Sequence, residues 1–546
     1  MSFTPSNKIR IVTAAALFDG HDAAINIMRR ILQSKGAEII HLGHNRSVAD
    51  IVECAIEEDV QGIAITSYQG GHVEFFKYMK DLLEENGCGH IKIFGGGGGT
   101  ILPAEIEELH QYGITRIYSP DDGRHMGLEG MIEDVIRQCD FSLNGNLDII
   151  GQLKLGEARD IRKIARSISN VENGNANANA AIGIENPNTA AKNPVLGITG
   201  TGGAGKSSVT DEIVRRFLHT YTDKTIAVIS VDPSKKKTGG ALLGDRIRMN
   251  AISSPRAYMR SLATRESDKA LSKYVQEAID ICKQAGYDFI ILESAGVGQS
   301  DASILDYCDI SMYVMTPEYG APSQLEKINM LDYADVVCIN KFDKAGALDA
   351  LHDVRKQYKR NHALWDKKDD DLPVVGTIAA QFNDSGVNEL FERLMEKLEE
   401  KTGVTFKGAI THHAHTKDTS NQSTIIPPNR VRYLSEIAET IKEYDEQAEQ
   451  QAAIARKLYQ VDGAINALPA SSEAQQELKK IKHQLEGQLL PASKQLLDNW
   501  ADTKERYSKS HYEFQVRDKI IKQPLTYKSL SGTTLPKVLL PKYHDW

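Results

Sequence analysis

Residues 193–208 constrain this chain most, because they combine a short apolar strand, a glycine-rich turn and the start of a helix. The strand is predicted at 195–199, and residues 209–219 have helical spacing. Between them the sequence fits G-x-x-x-x-G-K-[ST], the P-loop, whose glycines let backbone N–H groups surround a phosphate. The helix that follows points its positive end at the same anion. The chain is therefore expected to bind a nucleoside phosphate.

The P-loop is expected to supply most of the phosphate contacts. Lys206 can reach the β- and γ-phosphates and is a candidate catalytic residue, while the Ser207 hydroxyl can bind Mg²⁺. The other predicted nucleotide contacts in this motif are Gly200, Gly202, Gly203, Ala204, Gly205 and Ser208. An ordinary glycine turn is the alternative, but the strand before and the helix after the motif argue against it.

Acidic side chains follow two further predicted strands, at 225–230 and 288–292. Hard cations prefer oxygen ligands, so these positions suit magnesium. Together with Ser207, the predicted magnesium ligands are Asp232, Asp245, Glu293 and Ser294. Each carboxylate taken alone is equally consistent with a helix cap or a turn. Arg248 lies one turn beyond Asp245 and is a candidate phosphate contact.

The base is expected to be guanine. A predicted strand at 336–339 leads into Asn340, Lys341, Phe342 and Asp343, which fit N-K-x-D. The carboxylate of Asp343 can accept hydrogen bonds from the ring N–H and the exocyclic amine of guanine, a donor pair that adenine lacks. The aliphatic stem of Lys341 can lie over the ring. At a strand end downstream of a P-loop, this motif predicts GTP rather than ATP.

Strand and helix patterns alternate five times within residues 1–142, with strands at 9–16, 38–42, 62–67, 91–95 and 115–118. Apolar strands in such an alternation predict a parallel sheet that is covered on both faces. Five units favour a flavodoxin-like (Rossmann-type) α/β domain. Ligands of such sheets bind at the carboxyl ends of the strands.

Three loops at that edge of the sheet carry candidate ligands. Asp19 and His21 follow the first strand, Ser67 ends the third, and five glycines at 95–99 follow the fourth. A neutral imidazole can bind a metal through one nitrogen while its other N–H donates to a carboxylate. An isolated His–Asp pair is more often a solvated loop feature. A large ligand packed against the main chain would explain the entropic cost of the glycines.

These loops resemble the cobalamin-binding domain of coenzyme B12-dependent mutases, with its D-x-H-x-x-G motif, serine loop and Gly-Gly strand end. The matching residues are Asp19, His21, Ser67, Gly95 and Gly96, whereas Ala24 replaces the glycine of the first motif. The resemblance implies adenosylcobalamin as cofactor, with His21 as the lower axial ligand of cobalt and Asp19 tuning it. It also implies that Ser67 and the glycines line a channel for the displaced nucleotide tail.

Residues 193–404 resemble the GTPase chaperones that load cobalamin mutases, through the segments VDPS, GGALLGD, ESAGVGQS and NKFD. This resemblance implies slow intrinsic hydrolysis, switch regions at 239–249 and 294–303, and gating of cofactor transfer. Gln299 is the second candidate catalytic residue, because it could position the attacking water. An exposed glutamine of the switch, without a catalytic role, is an equal alternative.

The predicted organisation is a cobalamin domain at 1–142, a linker at 143–193, a GTPase domain at 194–405, a helical linker region at 406–525 and the start of a mutase barrel at 526–546. Within these segments we expect a helix at 150–167, a flexible tether at 169–193, and long polar helices at 429–460, 472–490 and 492–516. This order resembles fused isobutyryl-CoA mutases, in which an acyl-CoA-binding (β/α)₈ barrel follows.

The resemblance therefore implies a barrel on a separate subunit or in a missing C-terminal half, within a homodimer or hetero-oligomer. Composition excludes other classes of partner. The net charge of −9 argues against nucleic acid, and no apolar run is long enough for a membrane span. Six scattered cysteines and an N-terminus without an apolar stretch predict a cytoplasmic protein.

The preferred interpretation is the cobalamin-binding and GTP-hydrolysing chaperone portion of an acyl-CoA mutase of the isobutyryl-CoA/n-butyryl-CoA type. Two alternatives remain open from the sequence. The first is a free-standing cobalamin carrier and GTPase metallochaperone that serves a separate enzyme or mutase subunit. The second is a GTPase that inserts nickel or another metal.

Overall fold

The computed structural model describes residues 3–143, 160–174, 193–265, 271–296, 302–320, 322–408, 433–469, 472–516 and 519–546. The chain divides into two compact units, Met1–Ser423 and Thr424–Trp546. The first unit contains two parallel sheets. The second contains helices and two short antiparallel strand pairs.

The described strands of the first unit are β1 (Arg10–Ala16), β2 (Glu38–Arg46), β3 (Gly62–Thr66), β4 (Lys92–Gly96), β5 (Arg116–Tyr118), β6 (Val195–Gly200), β7 (Ile226–Asp232), β8 (Ala241–Leu243), β9 (Ala257–Ala263), β10 (Phe289–Glu293), β11 (Ile310–Met315), β12 (Val336–Asn340) and β13 (Val374–Thr377). Its described α-helices are α1 (Asp22–Ser34), α2 (Val48–Glu57), α3 (His72–Glu85), α4 (Pro103–Tyr112), α5 (Pro120–Cys139), α6 (Ile161–Glu172), α7 (Lys206–Thr220), α8 (Val275–Gln284), α9 (Pro322–Leu325), α10 (Ala347–Asn361) and α11 (Ser385–Thr402).

The first sheet has the strand order β5-β4-β3-β1-β2-β8, and all its pairings are parallel. Its first five strands show the flavodoxin-like order, so the predicted fold of this domain is confirmed. Every residue of β1 is buried. A strand in the middle of a sheet that helices cover on both faces has no solvent side, which is why its sequence is almost wholly apolar.

The second sheet has seven strands in the order β13-β12-β11-β6-β10-β7-β9, all parallel. The strand that leads into the P-loop, β6, lies at its centre. The predicted strands at 195–199, 225–230, 288–292 and 336–339 correspond to β6, β7, β10 and β12, so the expected P-loop fold is confirmed. Strands β8, β9, β11 and β13 have no counterpart among the predicted strands.

The two halves of the first unit share a sheet. The short strand β8 comes from the P-loop half, yet it pairs in parallel with β2 in the first sheet. Its register sets Glu38 opposite Ala241 and Ile40 opposite Leu243. Because β8 covers the edge of β2, the P-loop half completes the sheet of the N-terminal half.

The linker differs from its prediction. Helix α6 runs from Ile161 to Glu172 and packs against α2 and α8. The prediction that the chain from Ser169 onward is a flexible tether is wrong for its first residues, since Ser169 and Glu172 are buried in this helix. Both side chains accept hydrogen bonds from Arg260 of β9, which accounts for their burial. Residues 144–159 and 175–192 lie outside the described part of the chain.

A cluster of buried charges joins the N-terminal half, α6 and the P-loop half. We call it the buried ion cluster, and its members are Arg10, Glu38, Glu58, Glu172, Arg260 and Arg265. Glu172 lies 2.7 Å from Arg260 and 3.3 Å from Arg10. Burial alone would raise the pKa of Glu38, but Arg265 and Arg10 lower it. Pairing of this kind is what makes buried charges tolerable.

The second unit contains α12 (Tyr433–Ala467), α13 (Glu473–Glu486), α14 (Pro491–Ser508) and the strands β14 (His511–Val516), β15 (Lys519–Pro524), β16 (Thr526–Lys528) and β17 (Thr534–Pro536). The predicted helix at 492–516 is wrong beyond Ser508. Tyr512 and Phe514 alternate with polar residues, which is the strand period, and the segment pairs with β15. Among the described residues, no helix is long and apolar enough to span a membrane.

Candidate functional site

The loop after β1 carries the Asp19–His21 pair in the geometry of a supported metal ligand. The Nδ1 of His21 lies 2.8 Å from Oδ1 of Asp19. The imidazole side chain is 74% exposed, whereas the aspartate side chain is only 1% exposed. An ionised carboxylate can only accept, so Nδ1 carries the proton and the lone pair of Nε2 is left for a ligand.

Asp19 is fixed by backbone donors. Its Oδ1 accepts from the N–H of His21 at 2.9 Å, and its Oδ2 accepts from the N–H of Tyr68 at 2.7 Å. Burial alone would raise the pKa of Asp19, but these hydrogen bonds lower it. The carboxylate therefore stays ionised and orients the imidazole. The ring of Tyr68 also contacts that of His21, with centroids 5.3 Å apart.

A mainly apolar cavity of about 210 Å³ opens beside this loop, between the ends of β3 and β4 and the helices α1 and α5. Gly95, Gly96 and Thr66 line it. The predicted contact Ser67 is not among its lining residues, but its hydroxyl and that of Thr66 are buried. Neither hydroxyl has a hydrogen-bond partner in the described part of the chain. An exposed Nε2 and unpaired hydroxyls beside an apolar cavity fit a corrinoid cofactor.

The glycine run after β4 is partly explained by packing within the protein. A Cβ at Gly95 would lie 2.4 Å from the ring of Phe76, and one at Gly97 would lie 1.9 Å from the carbonyl oxygen of Ser67. A Cβ at Gly99 would meet nothing within 4 Å. Contacts within the protein therefore require glycine at positions 95 and 97, whereas position 99 stays open for the predicted ligand.

The P-loop connects β6 to α7. At Gly200 φ is +153°, and a Cβ there would lie 1.9 Å from the carbonyl oxygen of Val314. At Gly205 φ is +90°, a conformation that favours glycine. The buried Lys206 points back along the loop, with Nζ 3.4 Å from the carbonyl oxygen of Gly200. This arrangement matches a phosphate-binding loop with its lysine in place.

Three of the predicted magnesium ligands meet at the start of α7. The Ser207 hydroxyl lies 2.8 Å from Oδ1 of Asp245 and 3.0 Å from Oε1 of Glu293. Oδ2 of Asp232 accepts from the N–H of Gly244, next to Asp245. One hydroxyl proton cannot satisfy two carboxylates, so the group needs another proton or a cation.

The pKa values of two carboxyl groups at this predicted magnesium site are raised, which means that they hold protons more readily than free carboxyls do. Burial and the neighbouring Asp245 raise the pKa of Glu293 to about 8. Burial, Asp245 and Glu293 raise the pKa of Asp232. Among the described residues, no three His, Cys, Asp or Glu side chains are arranged to hold a metal by themselves. Mg²⁺ bound with a nucleotide takes phosphate and water oxygens as well, so a hydroxyl and neighbouring carboxylates fit it.

The N-K-x-D motif lies against the P-loop. Nδ2 of Asn340 donates to the carbonyl of Ala204 at 2.8 Å, and Nζ of Lys341 donates to that of Gly203 at 2.7 Å. Asp343 is exposed just beyond them. The structure thus places the N-K-x-D residues beside the P-loop.

Other predicted site residues lie apart from these groups or cannot be described. The Ser294 hydroxyl donates to Thr199 at 2.8 Å. Arg248 is exposed at the end of the short 3₁₀ helix Asp245–Arg248. Gln299 lies outside the described residues, so its proposed role stays a prediction.

Sequence reasoning missed Arg246, which is buried beside Asp245 and donates to Glu57 and Glu58 of the N-terminal half. A signal was present. Three consecutive acids, Glu57, Glu58 and Asp59, end α2, where the helix dipole disfavours negative charge. Such a run at a buried helix end indicates cationic partners elsewhere in the chain. It does not say which arginine supplies them.

Comparison with known proteins agrees with this geometry. Residues 164–458 match the family described as methylmalonyl Co-A mutase-associated GTPase MeaB. The chain belongs to the MeaB family. Residues 9–121 match the B12 binding domain, so the chain joins a B12-binding domain to a MeaB GTPase.

The chain also resembles longer proteins along its whole length. It is 53% identical to a fused isobutyryl-CoA mutase of Geobacillus kaustophilus (strain HTA426), covering 100% of this chain and 51% of that protein. A fused isobutyryl-CoA mutase of Cupriavidus metallidurans (strain ATCC 43123 / DSM 2839 / NBRC 102507 / CH34) is 50% identical, with 99% and 49% covered. This MeaB family member thus spans about half the length of these curated relatives. Among solved structures, a LAO/AO transport system kinase is 21% identical with a TM-score of 0.34, covering 62% of this chain and 99% of that one.

Proposed function

We propose that this chain binds adenosylcobalamin through the Asp19–His21 loop and hydrolyses GTP with Mg²⁺ as the chaperone portion of a B12-dependent acyl-CoA mutase. The observation that carries the proposal is the hydrogen bond between His21 Nδ1 and Asp19 in a domain that matches the B12 binding domain. A MeaB GTPase site lies in the same compact unit.

At the cofactor site, His21 would present Nε2 to cobalt while Asp19 keeps the proton on Nδ1. The free hydroxyls of Thr66 and Ser67 would bind polar groups of the nucleotide tail. Gly96 would leave room for that tail, and the backbone of Gly95 would line the cavity while Phe76 fills the space beside it. Adenosylcobalamin, when bound, supplies radical chemistry that no amino-acid side chain provides.

At the nucleotide site, Lys206 and the P-loop backbone would bind the phosphates, and Ser207 with Asp245 and Glu293 would orient Mg²⁺. Asp343 would select guanine. Charge that develops on the γ-phosphoryl group would be stabilised by Lys206 and the metal. Arg248 and Gln299 stay candidates for contacts that form when nucleotide binds.

The proposed partner is the acyl-CoA-binding part of a mutase, on another subunit or in the remainder of a longer chain. The support is that the whole of this chain aligns with about half of the fused isobutyryl-CoA mutases. The proposed reaction of the full assembly is the 1,2-rearrangement of an acyl-CoA of the isobutyryl/n-butyryl type. The cytosol is the proposed location, since all six cysteines are free thiols.

The test is the absorption spectrum of the chain with adenosylcobalamin. We expect the spectrum of a cofactor whose own base is displaced by a histidine, and we expect His21→Ala to abolish it. His44→Ala removes an exposed imidazole from the end of the neighbouring strand and should leave the spectrum unchanged. No bound corrinoid, or an unaltered spectrum in His21→Ala, would disprove the proposal.

A further inference from the structure

The segment between β8 and Met249, which we call the switch segment, contacts both the nucleotide site and the B12-binding domain. Its Asp245 lies 2.8 Å from the Ser207 hydroxyl and 2.5 Å from the Ser230 hydroxyl. Immediately before it, β8 pairs with β2 of the B12-binding domain. The carboxylate at the magnesium site is therefore separated from the first sheet by a single glycine, Gly244.

The next residue, Arg246, faces the other way. It is 5% exposed, and its Nη1 lies 3.5 Å from Oε1 of Glu58 and 3.1 Å from the carbonyl oxygen of Met259. Its Nη2 donates to Glu57. Both glutamates are buried at the end of α2 in the B12-binding domain. Asp245 therefore contacts the nucleotide site, and the next residue, Arg246, contacts the B12-binding domain.

Two further contacts hold the switch segment and the residue before β8 on the B12-binding domain. Nη2 of Arg46, the last residue of β2, donates to the carbonyl of Ile247 at 3.1 Å. On the other side, a Cβ at Gly240 would lie 2.1 Å from the carbonyl oxygen of Gln33 at the end of α1. The chain can approach α1 this closely only without a side chain at position 240.

We propose that Arg246 is a positioning residue for GTP hydrolysis, which holds Asp245 in its magnesium-binding geometry by its contacts with Glu57 and Glu58. The B12-binding domain is then a structural part of the GTPase site. The inference rests on the proposed magnesium site at Asp245. Groups that orient a metal ligand typically contribute a factor of about 10 to 100 in metal affinity or activity.

The direct test is Arg246→Met in the full chain, with GTP hydrolysis measured over a range of Mg²⁺ concentrations. We expect the Mg²⁺ concentration for half-maximal rate to rise about 10- to 100-fold, with a smaller change in KM for GTP. Arg246→Lys keeps the charge without the planar fork and should give an intermediate value.

The matched control is Arg166→Met. Arg166 of α6 binds Asp59 with N–O distances of 2.8 and 2.9 Å, an ion pair next to Glu57 and Glu58 in sequence. Arg166 also donates to the carbonyl of Leu143, and neither of these partners belongs to the switch segment. Its loss should lower stability and leave the Mg²⁺ dependence of hydrolysis unchanged. An equal shift in both variants would mean a general structural effect and would overturn the inference.

A second variant acts through the backbone. Gly240→Val places a side chain against Gln33 and should displace β8 from β2, raising the Mg²⁺ requirement in the same direction. In the unaltered chain, adding Mg²⁺ with a non-hydrolysable GTP analogue should slow amide hydrogen exchange in peptides spanning 38–46 by about fivefold or more. This measurement uses only the unaltered chain, so it does not depend on whether a variant folds. Identical rates of amide exchange with and without nucleotide would overturn the inference.

Failure of the proposed function gives a different result. Without a magnesium-dependent GTPase, the unaltered chain itself would show no Mg²⁺-dependent hydrolysis. The positioning role fails alone if the unaltered chain hydrolyses GTP and Arg246→Met has the same Mg²⁺ dependence.

Discussion

Asp343 is the residue from which we expect the choice of base to follow. In Asp343→Asn the amide cannot accept from both guanine donors, so kcat/KM for GTP should fall about 100-fold or more. The amide can instead donate to the 2-carbonyl of xanthine and accept from the neighbouring ring N–H. Hydrolysis of xanthosine triphosphate should therefore rise in the variant. Equal losses with both nucleotides would contradict guanine recognition by this residue.

His41 predicts a pH dependence of stability. It is buried on β2 with Nδ1 2.9 Å from the Thr13 hydroxyl, and burial together with the nearby Arg29 lowers its pKa to about 4. The unfolded imidazole takes up a proton below about pH 6.5. Below that pH the unfolded chain binds a proton that the folded chain does not. The free energy of unfolding therefore decreases as the pH falls toward 4, by on the order of 2 kcal/mol at pH 5.

The measurement is the free energy of unfolding at pH 8 and pH 5, for the unaltered chain and for His41→Gln. The difference between the two pH values should be smaller in the variant, because glutamine does not titrate. The other charged groups near this imidazole, Asp22 and Arg46, are the same in both proteins. An identical loss of stability in the two proteins would contradict the assignment to His41.

For individual residues, the sequence predicts which side chains lie together when they belong to one short motif. The spacing of Asp19 and His21, or of Lys206 and Ser207, places each pair on one loop whatever the rest of the chain does. Arg246 belongs to no such motif, because its partners Glu57 and Glu58 lie at the end of α2, far away in sequence. The roles assigned to the individual site residues stay predictions.

Helix α6 lies where the two sheets meet, and Glu172 at its end accepts from Arg10 and Arg260. Glu172→Gln would remove the carboxylate that lies 2.7 Å from buried Arg260. Arg10 would keep Glu38 and Glu58. Removing one partner of a buried ion pair costs about 3 to 5 kcal/mol. Chemical denaturation should show this loss in the first unit.

The control for this helix is Glu133→Gln on α5. Glu133 makes an ion pair with Arg137 at 3.0 Å, and that arginine side chain is 60% exposed. Surface pairs contribute 0 to about 1 kcal/mol, so the change should be small. Comparable losses in both glutamate variants would show that the buried ion cluster does not stabilise the first unit more than a surface pair does.

At the level of elements, the apolar strands and the helices between them were predictable because their patterns are local. Strand β8 was not, since three residues flanked by glycines carry no strand signal and gain their pairing from another domain. Strand β9 is not readable from the sequence because Arg260 interrupts its apolar run, and this arginine is buried with Glu172 and Ser169 as its partners. Strand β11 has a local apolar run of the kind that the sequence does reveal.

For the whole molecule, the division at Ser423 predicts where the chain can be shortened. Both candidate sites lie in Met1–Ser423, so a chain that ends at Ser423 should bind cobalamin and hydrolyse GTP at rates within about twofold of the full chain. Spectroscopy and a GTPase assay on the shortened chain provide the measurement. Loss of either activity would show that the second unit contributes to a site.

The domain boundaries predicted from sequence differ in kind from this division. The match to the B12 binding domain ends at residue 121, and the match to the MeaB family begins at residue 164. Both positions lie within one compact unit, Met1–Ser423. Sequence composition shows where apolar, regularly patterned segments give way to polar segments. Shared strands and buried ion pairs decide which segments fold as one body, and those depend on contacts far apart in sequence. The predicted boundaries near 142, 193, 405 and 525 stay predictions.

The pairing of β8 with β2 has a consequence for anyone who divides this protein for study. A fragment that ends before α6 would present the outer N–H and C=O groups of β2 to solvent, a surface that templates association between chains. The complementary fragment would carry the three residues of β8 without β2, the strand they pair with in the first sheet. Self-association of such fragments would report the missing neighbour rather than any natural oligomer.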